Sequence, residues 1–273
     1  MRSTTQVLYL GTYERDYPRN RLMIAALRHA GCDVVELHAP IWSGAHDKTA
    51  LLASPRALAR LGLNLASAYS RLLVRTLRRI SHADIVCFGY IGQLDLLMLG
   101  PLARLSGKPI VFNPLVTLSD TLIEDRRKFA PQSLPARMIR LIDRLSLALA
   151  DIILVDTAEN GDYLTEEFGI SPERIHTVPV GADETLFTMS GCRVVSDDSI
   201  AADTRANENQ PASGGCALSV LFYGTMIPLQ GADTIVRAAA LVRDEGIRFE
   251  IIGSGQTYSE VRALADRLGA TNI

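Results

Sequence analysis

Residues 150–183 read ADIILVDTAENGDYLTEEFGISPERIHTVPVGAD. Within them Ile152–Val155 is a short apolar run of β-branched and aliphatic residues, the pattern of a strand buried on both faces. Ala158–Phe168 follows with helical spacing and is ended by Gly169, and Ile175–Val178 is again a short apolar run. Strand, helix and strand at this spacing make a parallel βαβ unit, because a parallel pair needs a long crossover.

Working towards the amino terminus, the same alternation repeats. Val7–Leu10 ends at Gly11, Asn20–Ala30 is helical, and Asp33–Leu37 is a second strand. A long helical stretch precedes the strand Ile85–Phe88, Leu94–Ser106 is a helix closed at Gly107, Ile110–Asn113 is a strand, and Pro135–Leu149 is a helix. The expected architecture is a doubly wound parallel sheet covered on both sides, with ligands beyond the carboxyl ends of its strands. Working towards the carboxyl terminus, Thr188–Ala217 is rich in Ser, Asp, Asn, Ala and Gly without an apolar period, and reads as a mobile polar linker. The pattern then restarts with strand Ser219–Tyr223, helix Ala232–Asp244, strand Phe249–Ile252 and helix Tyr258–Leu268. The domains expected are thus 1–187, a linker over 188–217, and 218–273. Two strands cannot cover both faces of a parallel sheet, so the last segment is expected to be incomplete or completed by another chain.

Composition excludes several classes. The chain has 273 residues, 48% of them hydrophobic and 21% charged, with a formal net charge of −2, which suits a globular protein and argues against a general nucleic-acid binder. Cys32, Cys87, Cys192 and Cys216 form no C-x-x-C pair, and the five histidines show no metal-ligand spacing, so no metal site is expected. Isolated thiols and the lack of a signal-like or membrane-spanning run point to a cytoplasmic protein.

Three blocks carry a resemblance. The first is Ala150–Thr157 with Tyr163–Gly169 and then Arg174-Ile-His-Thr-Val-Pro-Val-Gly-Ala-Asp183 through Phe187. The second is Phe222-Tyr-Gly-Thr-Met-Ile-Pro-Leu-Gln-Gly231, and the third is Ile251-Ile-Gly-Ser-Gly255. In this order they resemble the family 4 glycosyltransferases, whose two-domain fold is the GT-B type. The resemblance implies an α/β protein with one complete doubly wound domain on the acceptor side and the first two βα units of a second, nucleotide-sugar domain. It implies a retaining transferase with a nucleotide-diphosphate sugar as substrate, no cofactor, and an acceptor that is a small molecule, a glycan or a lipid-linked molecule.

The site residues follow from that resemblance together with turn chemistry. The Gly224–Gly231 turn runs from a strand into a helix, where free N–H groups and the helix dipole favour a diphosphate. Donor-diphosphate candidates are therefore Gly224, Thr225, Gln230 and Gly231, with Gly11 and Thr12 on the loop that in the family faces the donor. Gly253, Ser254 and Gly255 form a second donor-side turn. Arg15, Arg19, Asn20, Asn113, Ser119 and Asp120 are candidates on the acceptor side, Asn20 having the alternative of an N-cap. No catalytic residue is assigned. Thr225 and Gln230 stand where the family usually has Arg or Lys, and no His is available near Ile110–Asn113.

Other patterns were weighed. Glu159 and Glu167 have the spacing of the family's Glu-x7-Glu motif but lie on a first-domain helix, which suits an ordinary solvated face. The true motif would fall beyond Ile273, so the chain alone is expected to be inactive. Gly253-Ser-Gly255 lacks the third glycine of a dinucleotide fingerprint, since position 258 is Tyr. A partner subunit binding sugar or nucleotide, completed by a second chain, is the alternative reading, as is a sugar-nucleotide epimerase of the same fold. Lys48–Ala83 holds seven basic residues and no acid, a charge of +7 against −9 for the remainder. Over 51–80 the arginines gather on one side of a helical wheel opposite the leucines, a pattern that fits peripheral contact with the inner face of a membrane. Packing of those leucines on the sheet is the favoured alternative, because both uses compete for them. Gly62 and Asn64 are candidate breaks in that helix. The run Asp125–Lys128 reads as a solvated loop.

Overall fold

The computed structural model describes residues 4–41, 55–182 and 218–273. The proposed linker 188–217, Asp183, Phe187, Lys48, Cys192, Cys216 and the side chain of Arg56 lie outside them. The chain divides into two compact units, Met1–Thr188 and Met189–Ile273.

The first unit is built on six parallel strands: β1 (Gln6–Gly11), β2 (Asp33–His38), β3 (Ile85–Phe88), β4 (Ile110–Leu115), β5 (Ile152–Val155) and β6 (Ile175–Thr177). They lie in the order 2-1-3-4-5-6. Five helices connect them: α1 (Pro18–His29), α2 (Pro55–Arg79), α3 (Gln93–Leu105), α4 (Leu134–Leu149) and α5 (Ala158–Phe168). The chain steps one way from β1 to β2 and the other way ever after. Right-handed crossovers then put α1 on one face and α2 to α5 on the other.

Packing follows that division. Leu8, Leu10, Val86, Phe88, Phe112 and Ile153 meet Ala68 and Leu72 of α2, Leu96 and Leu99 of α3, Leu147 of α4 and Leu164 of α5 in one buried cluster. Val7, Tyr9, Val34 and Cys87 point the other way and pack with Ile24 of α1. The expectation of helices on both sides of the sheet is met, unevenly: among the described residues α2 to α5 cover one face and α1 packs on the other.

Several local readings also change. Helix α1 begins at Pro18, whose fixed φ suits a first helical position, so Asn20 sits inside the first turn and is no N-cap. Helix α2 runs unbroken through Gly62 and Asn64. A single exposed glycine costs about 1 kcal/mol, too little to break a helix with a buried seam. Strand β4 continues past Asn113, with its pairing to β5 shifted between Phe112 and Leu115, because Pro114 has no N–H to give the ladder. A π-helical turn, Asp120–Asp125, follows it, so Asp125 belongs to an ordered turn and not to a loop.

The second unit contains β7 (Leu218–Thr225), α6 (Ala232–Leu241), β8 (Ile247–Ser254) and α7 (Tyr258–Leu268). The two strands are parallel, paired from Leu218 with Ile247 to Thr225 with Ser254. Ala232 and Val236 of α6 pack with Val261 and Leu264 of α7 over Ile251. Helix α6 ends at Leu241, three residues before Asp244. The opposite face of the sheet leaves Leu221 57%, Tyr223 74% and Ile252 53% exposed.

Candidate functional site

In the first unit the strand order reverses direction at β1 and β3, and helices leave that point on opposite faces, which opens a crevice at the carboxyl edge. The loops after β1, β3 and β4 all end there. Ile91 in the loop after β3 and Leu115 at the end of β4 are non-glycine residues at positive φ, 66° and 65°, conformations that side chains rarely adopt and that gather at functional sites.

Gly11 ends β1 with φ 143°, and a Cβ there would overlap the carboxylate of Asp95. That carboxylate accepts from the Thr12 N–H at 2.8 Å, from the Thr12 hydroxyl at 2.9 Å and from the Tyr69 hydroxyl at 2.9 Å. Asp95 is wholly buried in the first turn of α3, and desolvation pushes its pKa up to about 6 although those donors favour the ionised form. Both Thr12 donors are therefore committed within the protein. Sequence reasoning missed Asp95; the available signal was a lone acid in the apolar run Gln93–Leu105.

Arg19 and Asn113, 94 residues apart, are brought together: Arg19 Nε donates to Asn113 Oδ1 at 2.8 Å. The same guanidinium donates to the carbonyls of Val178 and Val155, tying α1 to the ends of β5 and β6. Both side chains are buried, and Asn113 Nδ2 is buried without a hydrogen-bond partner. Asn20 is also buried; its Oδ1 accepts from the Tyr9 hydroxyl at 3.2 Å and the Tyr90 N–H at 2.8 Å, and its Nδ2 donates to the Glu14 carbonyl at 3.0 Å. It thereby fixes the Gly89–Gly92 turn, where Gly89 has no room for a side chain. Tyr17 stacks on Tyr90 with centroids 4.4 Å apart.

Arg15 goes elsewhere, donating to Glu36 at 3.1 Å. Burial raises the Glu36 pKa, but donation from Arg28 and Tyr13 and the charge of Arg15 outweigh it and hold the carboxyl below its usual range. Ser119 is buried, its N–H donating to Asp143 at 2.8 Å beside the Leu118 N–H at 3.0 Å. Asp120 lines a small cleft with Thr117, Asn160 and Tyr163. Its carboxyl is raised by burial and by Glu124 and Asp125. Glu159 and Glu167 are both exposed on α5.

In the second unit the two candidate turns form one edge. The Met226 N–H donates to the Ser254 carbonyl at 2.9 Å and the Thr257 N–H to the Met226 carbonyl at 3.0 Å. Gly253 lies against the Gly224 backbone and Gly255 against Met226, leaving no space for a Cβ. Gly231 adopts φ 61° and begins α6 without a side-chain cap. Thr225 and Gln230 are exposed beside it.

Residues 5–181 match the glycosyl transferase 4-like domain family. The chain belongs to this family. A relative in the family's company is D-inositol 3-phosphate glycosyltransferase 1 of Catenulispora acidiphila, 30% identical over 195 residues that cover 69% of this chain and 41% of the relative. The D-inositol 3-phosphate glycosyltransferase of Actinosynnema mirum is 28% identical over 173 residues, covering 59% and 39%. The chain thus spans about two fifths of the length of these curated relatives. Among solved structures, Anabaena Alr3699/HepE in complex with UDP-glucose aligns with a TM-score of 0.57 at 14% identity, over 98% of this chain and 67% of that one. A glycosyltransferase from Rickettsia africae aligns with a TM-score of 0.53 at 11% identity, over 99% and 67%. These likenesses place the fold in the GT-B class. The family match ends before β7, so the turns after β7 and β8 stand on their own geometry. Among the described residues, no helix is long and apolar enough to cross a membrane, and no group of His, Cys, Asp and Glu could hold a metal ion.

Proposed function

We propose that the chain serves a glycosyltransferase that moves a sugar from a nucleotide-diphosphate sugar to an acceptor, with retention of configuration and without a cofactor. The observation that carries this reading is the turn from Gly224 to Gly231, where a left-handed glycine starts an uncapped helix at the carboxyl end of a parallel strand. The Gly231 and Thr234 amides bond within the turn, so the Ala232 and Asp233 amides, with the helix dipole, are the groups that would favour a diphosphate and the charge that grows on it as the sugar bond breaks. Gly253 and Gly255 contribute by allowing the second turn to close against the first. Gly11 would act through its backbone, since Thr12 is held by Asp95. On the acceptor side, Asp120, half-buried in the cleft with Thr117, Asn160 and Tyr163, is the group placed to meet a ligand, while Arg19, Asn20, Asn113 and Ser119 position the edge.

Charge is the weak point of the donor turn. Thr225 and Gln230 are neutral, and Asp233 in the first turn of α6 is negative, with Arg237 3.8 Å away. The uncovered face of β7 and β8 supports a whole protein in which further polypeptide completes this unit and adds cations.

The test is to titrate UDP, GDP and ADP into the labelled chain and follow the backbone amides of residues 224–235. Shifts shared by all three nucleotides, absent for the nucleosides and abolished in Gly231→Ala, are expected. Gln230→Lys should tighten binding about fivefold or more, as an added charged hydrogen bond does. Absence of any shift, or equal shifts with the nucleosides, would sink the diphosphate assignment.

A further inference from the structure

Helix α2 presents three separate surfaces. Ala68, Leu72 and Thr76, continued by Ile80, form a fully buried seam against the sheet. A second surface is apolar and uncovered: Leu63 is 73% exposed, Leu77 55%, Val74 47% and Leu73 41%. At 3.6 residues per turn these four fall within an arc of about 100°. The positions between them, Ala59, Ala66, Ser67 and Ser70, carry no charge. The third surface is basic, with Arg60, Arg71, Arg75 and Arg78 exposed along one flank of the apolar stripe. No Asp or Glu occurs anywhere in Pro55–Arg79.

The leucines that pack are therefore not the leucines left outside, and the two uses do not compete. A stripe of exposed apolar side chains flanked on one side by arginines is the arrangement of a helix lying in a membrane interface. Apolar groups then enter the acyl boundary while guanidiniums stay with the phosphates. An open cleft lined by His38, Ser70, Arg71 and Arg75 lies beside the stripe and gives a headgroup phosphate a second contact. The sign of the charge selects the surface: a chain of net −2 that concentrates arginines here is matched by anionic lipid and repelled from it elsewhere.

We infer that the exposed side of α2 docks this protein on an anionic lipid surface. The inference is independent of the donor-site reading and survives its failure.

The experiment is co-sedimentation of the full chain with phosphatidylcholine vesicles, with and without phosphatidylglycerol. Binding is expected only with the anionic lipid, weakening as salt shortens the reach of the charges. Arg60→Gln, Arg71→Gln and Arg78→Gln should each weaken it roughly fivefold, the equivalent of about 1 kcal/mol per basic residue near the surface. Leu63→Gln with Leu77→Gln should abolish the salt-resistant part. All five positions are exposed, and circular dichroism will verify that each variant is folded. Equal binding of the variants, or equal binding to neutral vesicles, would overturn the inference. So would a concentration-dependent dimer in sedimentation equilibrium that the double leucine change dissolves, which would assign the stripe to a second copy.

Discussion

The carboxyl edges of the two units are held together in opposite ways. In the first, buried polar side chains from distant parts of the chain do it: Asp95 fixes Thr12, Arg19 fixes Asn113 and two strand ends, Asn20 fixes Tyr90, and Asp143 fixes Ser119. In the second, main chain holds main chain through Met226, Ser254 and Thr257, with glycines where backbones nearly touch. The first edge is fixed by buried partnerships between side chains and distant segments, which preorganise it. The second is closed by backbone alone and needs no side-chain partner. Six strands with two clusters can carry buried charge; two strands with one covered face cannot.

The comparison can be broken most directly at Gly11. Gly11→Ala forces a Cβ into the buried Asp95 carboxylate at φ 143°, and should cost about 4 kcal/mol of stability in urea denaturation. A change below 1 kcal/mol would mean the edge relaxes easily, against the preorganised picture.

Asp95 gives the next effect. Its folded pKa of about 6 lies above the ordinary 3.8, so the native state binds the extra proton. The stability this contributes is full below the unfolded pKa and is lost as pH rises through the folded one. Between about pH 4 and about pH 7 the wild type should therefore lose roughly 2 kcal/mol relative to Asp95→Asn. Parallel denaturation curves for the two proteins across that range would remove the buried charge from the account.

Arg19→Met leaves the Val178 carbonyl and Asn113 Oδ1 without their donor, and should cost about 2 kcal/mol. Hydrogen exchange should show β6 loosening while β1 to β3 stay protected, whereas uniform loosening would deny Arg19 its local role. The smallest effect belongs to the second unit. Leu221→Ser and Tyr223→Ser, on the uncovered face, should change stability by about 0.5 kcal/mol or less. A large loss would show that this face is covered.

Much of the fold was legible in the chain. Among the described residues, the alternation of short apolar runs with helical segments placed the strands and, apart from α2, whose bounds it does not mark, the helices to within a few residues, because period and turn glycines are local properties. The turns after β7 and β8 were legible for the same reason: glycines at strand ends mark them without reference to anything distant. The polar contacts at the carboxyl edge of the first unit were legible only as a set of candidates. Arg15, Arg19 and Asn20 stand within six positions in sequence, yet Arg15 pairs with Glu36 while the other two enter the core. Nothing in a linear string separates a buried arginine from an exposed one.

Sequence alone determined that strands and helices alternate, that the pattern restarts after residue 217, and that glycines punctuate the strand ends. Tertiary structure alone decided which polar groups meet across the switch point, that Thr12 answers to Asp95, and which leucines of α2 face outward. The physical reason is the range of the interactions. Backbone propensity and periodicity act over a few residues, whereas burial and hydrogen-bond partnership depend on which distant segments the strand order makes neighbours.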